Sequence, residues 1–177
     1  MGGVDKGLAL FNGRPMIASV IERLLPQIDQ LLINANRNIE DYSRHGFRVV
    51  ADAIEGFAGP LAGLERGLAE AAHELVVTCP CDSPFLPMDL VARLKSALDD
   101  QATDLAVAKT GTQAHPVLCL VRRSAHRHLR DFLVAGGRKI DTWYSTLNTV
   151  EVSFDDEAEA FSNINTANEL KDLERRG

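Results

Sequence analysis

The sequence contains few residues that could form disulfides or a structural zinc site. Only three cysteines, Cys79, Cys81 and Cys119, occur among its 177 residues, and none has the Cys-x-x-Cys spacing of a zinc ligand pair. Since three thiols cannot all pair, we expect reduced core residues. A Cys-x-Cys metal or redox site at Cys79 and Cys81 is the alternative.

The sequence also lacks long hydrophobic runs and an excess of positive charge. No stretch approaches the roughly 20 apolar residues of a membrane span, and no basic segment followed by a hydrophobic one opens the chain. We therefore expect a cytoplasmic protein with no membrane partner. Lysine and arginine number 19 against 25 aspartates and glutamates, a net charge of −6, so no broad basic surface is expected for nucleic acid.

The composition is that of one ordinary globular domain covering residues 1–177. Apolar residues make up 45% of the chain and charged residues 25%, which excludes collagenous, low-complexity and wholly disordered classes. A phosphate-rich ligand would need a local pocket of amides, one or two cations and a metal ion in so acidic a chain.

Short apolar runs alternate with segments in helical spacing, a pattern typical of α/β proteins. We predict strands at 31–33, 47–51, 75–79, 105–108, 117–121 and 149–154, and helices at 15–29, 60–71, 87–98, 124–133 and 168–175. This order favours a three-layer α/β/α fold with a mostly parallel sheet. Ligands of such sheets bind beyond the carboxyl ends of the strands, where Asn34, Asp52 and Asp82 fall.

Asp82 is the candidate metal ligand. It lies in a Pro-Cys-Asp-Ser-Pro turn that closes the strand at 75–79. A carboxylate there is a hard oxygen ligand suited to Mg²⁺ that also contacts substrate phosphates. The alternative is that Asp82 or Ser83 caps the following helix.

Asp52 and Asn34 are candidates for contact with a base or a ribose. Asp52 follows the strand at 47–51, while Asn34 and Asn36 follow the strand at 31–33. An amide offers both a donor and an acceptor to a base edge. Both residue types are also common in turns and caps, which is the alternative interpretation.

Lys6 lies in the glycine-rich opening segment Gly-Gly-Val-Asp-Lys-Gly. Small residues let a polyphosphate approach the backbone, and a lysine can neutralise charge that develops on a phosphoryl group. The segment matches neither the P-loop nor the Rossmann glycine fingerprint, and a solvated terminus is the alternative.

Taken together and in this order, the motifs resemble the molybdenum cofactor guanylyltransferase family. The matching pieces are Met1-Gly2-Gly3-Val4-Asp5-Lys6-Gly7-Leu8, Asn12-Gly13-Arg14-Pro15, Asn34-Ala35-Asn36-Arg37, Gly59-Pro60-Leu61-Ala62-Gly63, Cys79-Pro80-Cys81-Asp82-Ser83-Pro84, His115-Pro116 and Asn163-Ile164-Asn165-Thr166. They span nearly the whole chain. Asn-Ala-Asn-Arg, Cys-Pro-Cys-Asp and Asn-Ile-Asn-Thr together are more specific than the pieces shared among nucleotidyltransferases.

The resemblance implies a Rossmann-like nucleotidyltransferase that moves GMP from GTP to the phosphate of molybdenum-molybdopterin and releases pyrophosphate. By this analogy Lys6, Asn34, Asp52 and Asp82 contact GTP, Lys6 and Asp82 act in catalysis, and Asp82 also holds Mg²⁺. Asn163 and Asn165, in the C-terminal half, would contact the pterin. Apo-molybdoenzymes or their chaperones are the further partners that it suggests.

The chain departs from the family pattern at its start. The family has a Leu-Ala-Gly-Gly strand end and phosphate-binding turn directly before the position of Met1, so we expect the fold of these residues to lack its first strand. Two other functions therefore stay open. One is a related cytidylyl or sugar-1-phosphate nucleotidyltransferase, and the other is a non-catalytic protein that binds and delivers molybdopterin.

Overall fold

Helices and short strands alternate along the chain in the computed structural model, which describes residues 5–54 and 59–161. The strands are β1 (Leu10–Phe11), β2 (Arg14–Pro15), β3 (Leu32–Asn34), β4 (Arg48–Val50), β5 (Leu75–Thr78), β6 (Leu105–Thr110), β7 (Gln113–Arg122) and β8 (Thr149–Ser153). The helices are α1 (Met16–Leu24), α2 (Ile39–Ser43), α3 (Pro60–Glu70), α4 (Leu90–Asp100), α5 (His126–Val134) and α6 (Ile140–Tyr144). No helix within the described ranges is long and apolar enough to cross a membrane. The helix expected at 168–175 lies outside them.

The strands form mixed sheets, and the predicted α/β class is confirmed. Strands β3 and β4 pair in parallel, and a four-stranded sheet has the order β5-β7-β6-β8. Within it β7 runs antiparallel to both β5 and β6, whereas β8 runs parallel to β6. The reversal of β7 follows from its short connection to β6 through Gly111 (φ +54°), because a tight turn can join only antiparallel neighbours.

The core has two apolar layers, one on each face of the four-stranded sheet. Strand β6 shows the division, since Leu105 and Val107 belong to one buried cluster and Ala106 and Ala108 to the other. The first cluster contains apolar residues of α3, α5 and α6, and the second contains residues of α1 and α4. The alternation of side chains along a strand thus produces the predicted three layers.

A cavity of about 650 Å³ separates β3 from β5. Apolar side chains of α1 and α3 line it together with residues of both strands. The backbone amide of Ala72 donates to the side-chain oxygen of Gln30 at 2.8 Å, so the segments that precede β3 and β5 are in contact. Asn34 and Cys81 also line this cavity. The expectation that the fold of these residues lacks its first strand is not tested by the described residues and stays a prediction.

The buried cluster that contains residues of α3, α5 and α6 predicts that shortening a side chain on α5 has an effect that depends on its position. Leu129 is fully buried in it, whereas Val134 on the same helix is 75% exposed. We expect Leu129→Ala to lower the free energy of unfolding by about 2–5 kcal/mol, because it leaves a cavity. The matched control Val134→Ala should change it by less than about 0.5 kcal/mol. Urea unfolding measures both, and equal losses would contradict the assignment of this core.

Candidate active site

The carboxyl ends of β3 and β4 bring three predicted polar residues into one cluster, Asn34, Asn36 and Asp52. The side-chain amides of Asn34 and Asn36 donate to the two carboxylate oxygens of Asp52 at 2.9 and 2.8 Å. In return, the backbone amide of Asp52 donates to the side-chain oxygen of Asn36 at 2.9 Å. Strands β3 and β4 are parallel, and Asn34 lies opposite Val50. Their carboxyl ends therefore meet at the same edge of the sheet.

Helix α3 fixes the position of Asn34 from the other side. A Cβ atom added at Gly63 would lie 2.5 Å from the Asn34 side-chain oxygen, which is closer than van der Waals contact allows. Glycine is therefore required for this close approach of helix and amide. Asn34 is held in one place by Gly63, Val50 and Asp52, and the amide of Asn34 also donates to the Val50 carbonyl at 3.2 Å.

Two further predicted residues, Lys6 and Asp82, lie near each other at the end of β5. The Lys6 ammonium is 3.3 Å from one carboxylate oxygen of Asp82, and the side chains are 38% and 15% exposed. Asp82 follows β5 in a turn, as predicted. The capping alternative is wrong, because α4 begins at Leu90 and its N-cap residue is Asp89.

The donor set at Asp82 fits magnesium. Among residues 5–54 and 59–161, no three His, Cys, Asp or Glu side chains come together as a complete protein metal site. Magnesium at phosphoryl-transfer sites does not need one, since it is bound by one or two carboxylates, substrate phosphates and water. Asp82, a single carboxylate that is 15% exposed, can serve as such a ligand.

The three cysteines are free thiols, as expected. Burial raises the pKa of Cys79 and of Cys119 above the usual value. Burial, followed by the charges of Asp82 and Asp5, raises the pKa of Cys81 to about 11. All three are therefore protonated near neutral pH, which disfavours the thiolate that metal binding or redox chemistry needs.

Sequence reasoning did not identify the residues that hold the turn carrying Lys6. The Asp5 carboxylate accepts hydrogen bonds from the Tyr42 hydroxyl at 2.6 Å and from the Asn38 amide at 2.9 Å. The position of Asp5 directly before Lys6 was the one available signal, and its partners are distant in sequence. Asn163 and Asn165 lie outside the described residues.

Comparisons with known proteins identify the family of this chain. Residues 1–150 match the family described as the MobA-like NTP transferase domain. A molybdenum cofactor guanylyltransferase of Shewanella putrefaciens is 47% identical over 96% of this chain and 87% of its own length. One of Cupriavidus necator is 49% identical over 99% of this chain and 90% of its own length.

Solved structures share the fold. The molybdopterin-guanine dinucleotide biosynthesis protein A of Archaeoglobus fulgidus has a TM-score of 0.81 at 24% identity and covers 98% of this chain and 91% of its own. The 2-C-methyl-D-erythritol 4-phosphate cytidylyltransferase of Thermus thermophilus has a TM-score of 0.72 at 18% identity, covering 97% and 93%. The family match and the near-half identity over almost the full length show that this chain belongs to the MobA-like molybdenum cofactor guanylyltransferases and is a nucleotidyltransferase.

Proposed function

We propose that this chain transfers GMP from GTP to the phosphate of molybdenum-molybdopterin, forming the guanine dinucleotide cofactor and pyrophosphate. The observation that carries the proposal is the presence of two polar groups, one at the ends of β3 and β4 and the other at the end of β5. The cluster of Asn34, Asn36 and Asp52 suits a nucleobase, and the Lys6–Asp82 pair suits a phosphate chain with its metal. The names of the relatives supply the donor and acceptor.

The base cluster favours guanine on chemical grounds. Guanine presents two adjacent donors, N1–H and the 2-amino group, which suit a carboxylate acceptor. Asp52 already accepts from two amides, and a carboxylate has about four lone-pair sites, so it has capacity for further donors. Cytosine offers one exocyclic donor and acceptors instead, which makes it a poorer partner for Asp52.

The phosphate end supplies positive charge in an acidic chain. In-line attack by an oxygen of the pterin phosphate on the α-phosphorus of GTP needs no strong base, because the attacking oxygen is already anionic. Catalysis is then alignment and charge neutralisation. The Lys6 ammonium would contact the charge that develops on the transferring phosphoryl group and its leaving pyrophosphate. Magnesium, bound by Asp82, would supply further charge neutralisation on the phosphates.

The acceptor side of the proposal includes Asn163 and Asn165 as pterin contacts. Delivery of the product to apo-molybdoenzymes or their chaperones belongs to the same proposal. Both the pterin contacts and the delivery step are supported by the resemblance in sequence alone.

A radiolabelled donor tests the reaction. The chain is incubated with molybdenum-molybdopterin, Mg²⁺ and GTP, CTP or ATP labelled at the α-phosphate. We expect label on the pterin from GTP only, with one pyrophosphate released for each transfer. Preferred use of CTP would favour the cytidylyl alternative, and pterin binding without pyrophosphate release would favour the delivery protein.

Loss of the Asp82 carboxylate should abolish turnover. We expect Asp82→Ala to lower kcat by at least about a hundredfold with Mg²⁺ as the sole divalent ion, since the metal loses its protein ligand. The fold should persist, which an unchanged circular dichroism melt would show. The matched control Asp131→Ala removes a carboxylate that is 73% exposed on α5 and should be fully active. Full activity of Asp82→Ala would contradict the metal assignment.

The base cluster predicts a change in donor selectivity. We expect Asp52→Asn to raise KM for GTP roughly tenfold to a hundredfold, because charge-assisted hydrogen bonds are lost. Gly63→Ala should act in the same direction by displacing Asn34. Steady-state kinetics with GTP and CTP measure both effects. Unchanged selectivity in both variants would place the base elsewhere.

A further inference from the structure

Asp5 links the turn that carries Lys6 to the residues that follow β3. Its side chain is only 14% exposed, and both of its oxygens are engaged by residues that follow β3. One oxygen accepts from the Tyr42 hydroxyl, and the other accepts from the Asn38 amide and lies 3.7 Å from the Arg37 guanidinium.

The same residue begins the turn that carries Lys6. The backbone carbonyl of Asp5 accepts from the amides of Leu8 at 3.2 Å and of Ala9 at 3.1 Å. The side chain of Asp5 thus attaches the turn to α2, and its carbonyl closes the turn. Lys6 is the next residue, and its ammonium reaches Asp82.

Gly7 fixes how closely this turn packs. It is buried, and an added Cβ would lie 2.6 Å from the Tyr42 hydroxyl and 2.9 Å from the Cys81 sulfur. The turn is therefore pressed between α2 and the residues that follow β5. Lys6 belongs to this turn, and Asp82 belongs to the residues that follow β5. A shift of the turn would therefore move Lys6 relative to Asp82.

Tyr42 is suited to act as a permanent donor. Its side chain is buried, and burial, followed by the hydrogen bond to Asp5, raises its pKa above the usual value. The phenol therefore stays protonated at all working pH values. Since a buried phenol without a partner is costly, Tyr42 and Asp5 hold each other in place.

We propose that Asp5, together with Tyr42 and Asn38, is a positioning residue that holds Lys6 against the reacting phosphates. This rests on the proposed transfer of GMP. Asp5 itself contacts neither the nucleotide nor the metal, and it acts through the turn. Misplacement of a catalytic group by about 1 Å can cost about a hundredfold in rate.

Kinetics of single and double variants test this role. We expect Asp5→Ala to lower kcat about tenfold to a hundredfold while KM for GTP changes less than about threefold. Tyr42→Phe should have a smaller effect in the same direction. In a Lys6→Met background, whose residual turnover radiolabelled GTP measures, Asp5→Ala should lower kcat no further. Asp41→Ala on α2, a carboxylate 46% exposed, is the matched control and should match the unaltered chain.

Three kinetic results would overturn the proposal. One is an unchanged kcat in Asp5→Ala. The second is an additive loss in the Lys6→Met background, since Asp5 would then act independently of Lys6. The third is recovery of the full rate of Asp5→Ala at high Mg²⁺, which would make Asp5 a metal ligand.

A second measurement needs no substrate and separates this proposal from the reaction. Alkylation of Cys81 by iodoacetamide reports whether the turn at Gly7 covers the thiol. Without Asp5 we expect alkylation of Cys81 to be about tenfold faster or more, because the turn at Gly7 no longer covers the thiol. An unchanged rate shows that Asp5 does not hold the turn. If the unaltered chain transfers no GMP, the proposed function fails, and the alkylation rate still decides whether Asp5 holds the turn.

Discussion

The ion pair between Lys6 and Asp82 joins the opening turn to the end of β5, and the rest of the candidate site is arranged around this contact. Asp82 is placed by the four-stranded sheet, because β5 pairs with β7 in a register that sets Thr78 opposite Cys119. The Thr78 hydroxyl also donates to the Val117 carbonyl at 2.8 Å, which ties the end of β5 to β7. Lys6 is placed by the separate contact of its turn with α2. The distance between the two charges therefore depends both on the four-stranded sheet and on the packing of the turn.

The electrostatics of the chain explain why so local an arrangement is needed. A net charge of −6 repels a nucleoside triphosphate at long range. Binding must then come from cations and amides at short distance, where screening by water and salt is weakest. Exposed ion pairs elsewhere, such as that of Arg44 with Asp41, contribute little by comparison.

Much of the fold and part of the site could be predicted from the sequence. The strand expected at 75–79 is observed as Leu75–Thr78, and Asn34, Asp52 and Asp82 are found at or after the ends of β3, β4 and β5, as expected. Such features are local, since they depend on apolar runs and the turns that follow. The reversed direction of β7 depends on pairing between strands, which the apolar run at 117–121 did not reveal.

The contacts around Asp5 could not be predicted for the same physical reason. Its partners Asn38 and Tyr42 are brought to it by the packing of α2, and no spacing rule relates them. Likewise, the need for glycine at position 63 appears only once α3 lies against Asn34.

A crystal structure of this chain with a non-hydrolysable GTP analogue and Mg²⁺ tests the central claim most directly. The account predicts the guanine against Asp52 and Asn34, and the α-phosphate between Lys6 and a metal ion bound to Asp82. A nucleotide bound away from these four side chains, or a metal ion with no contact to Asp82, would contradict it.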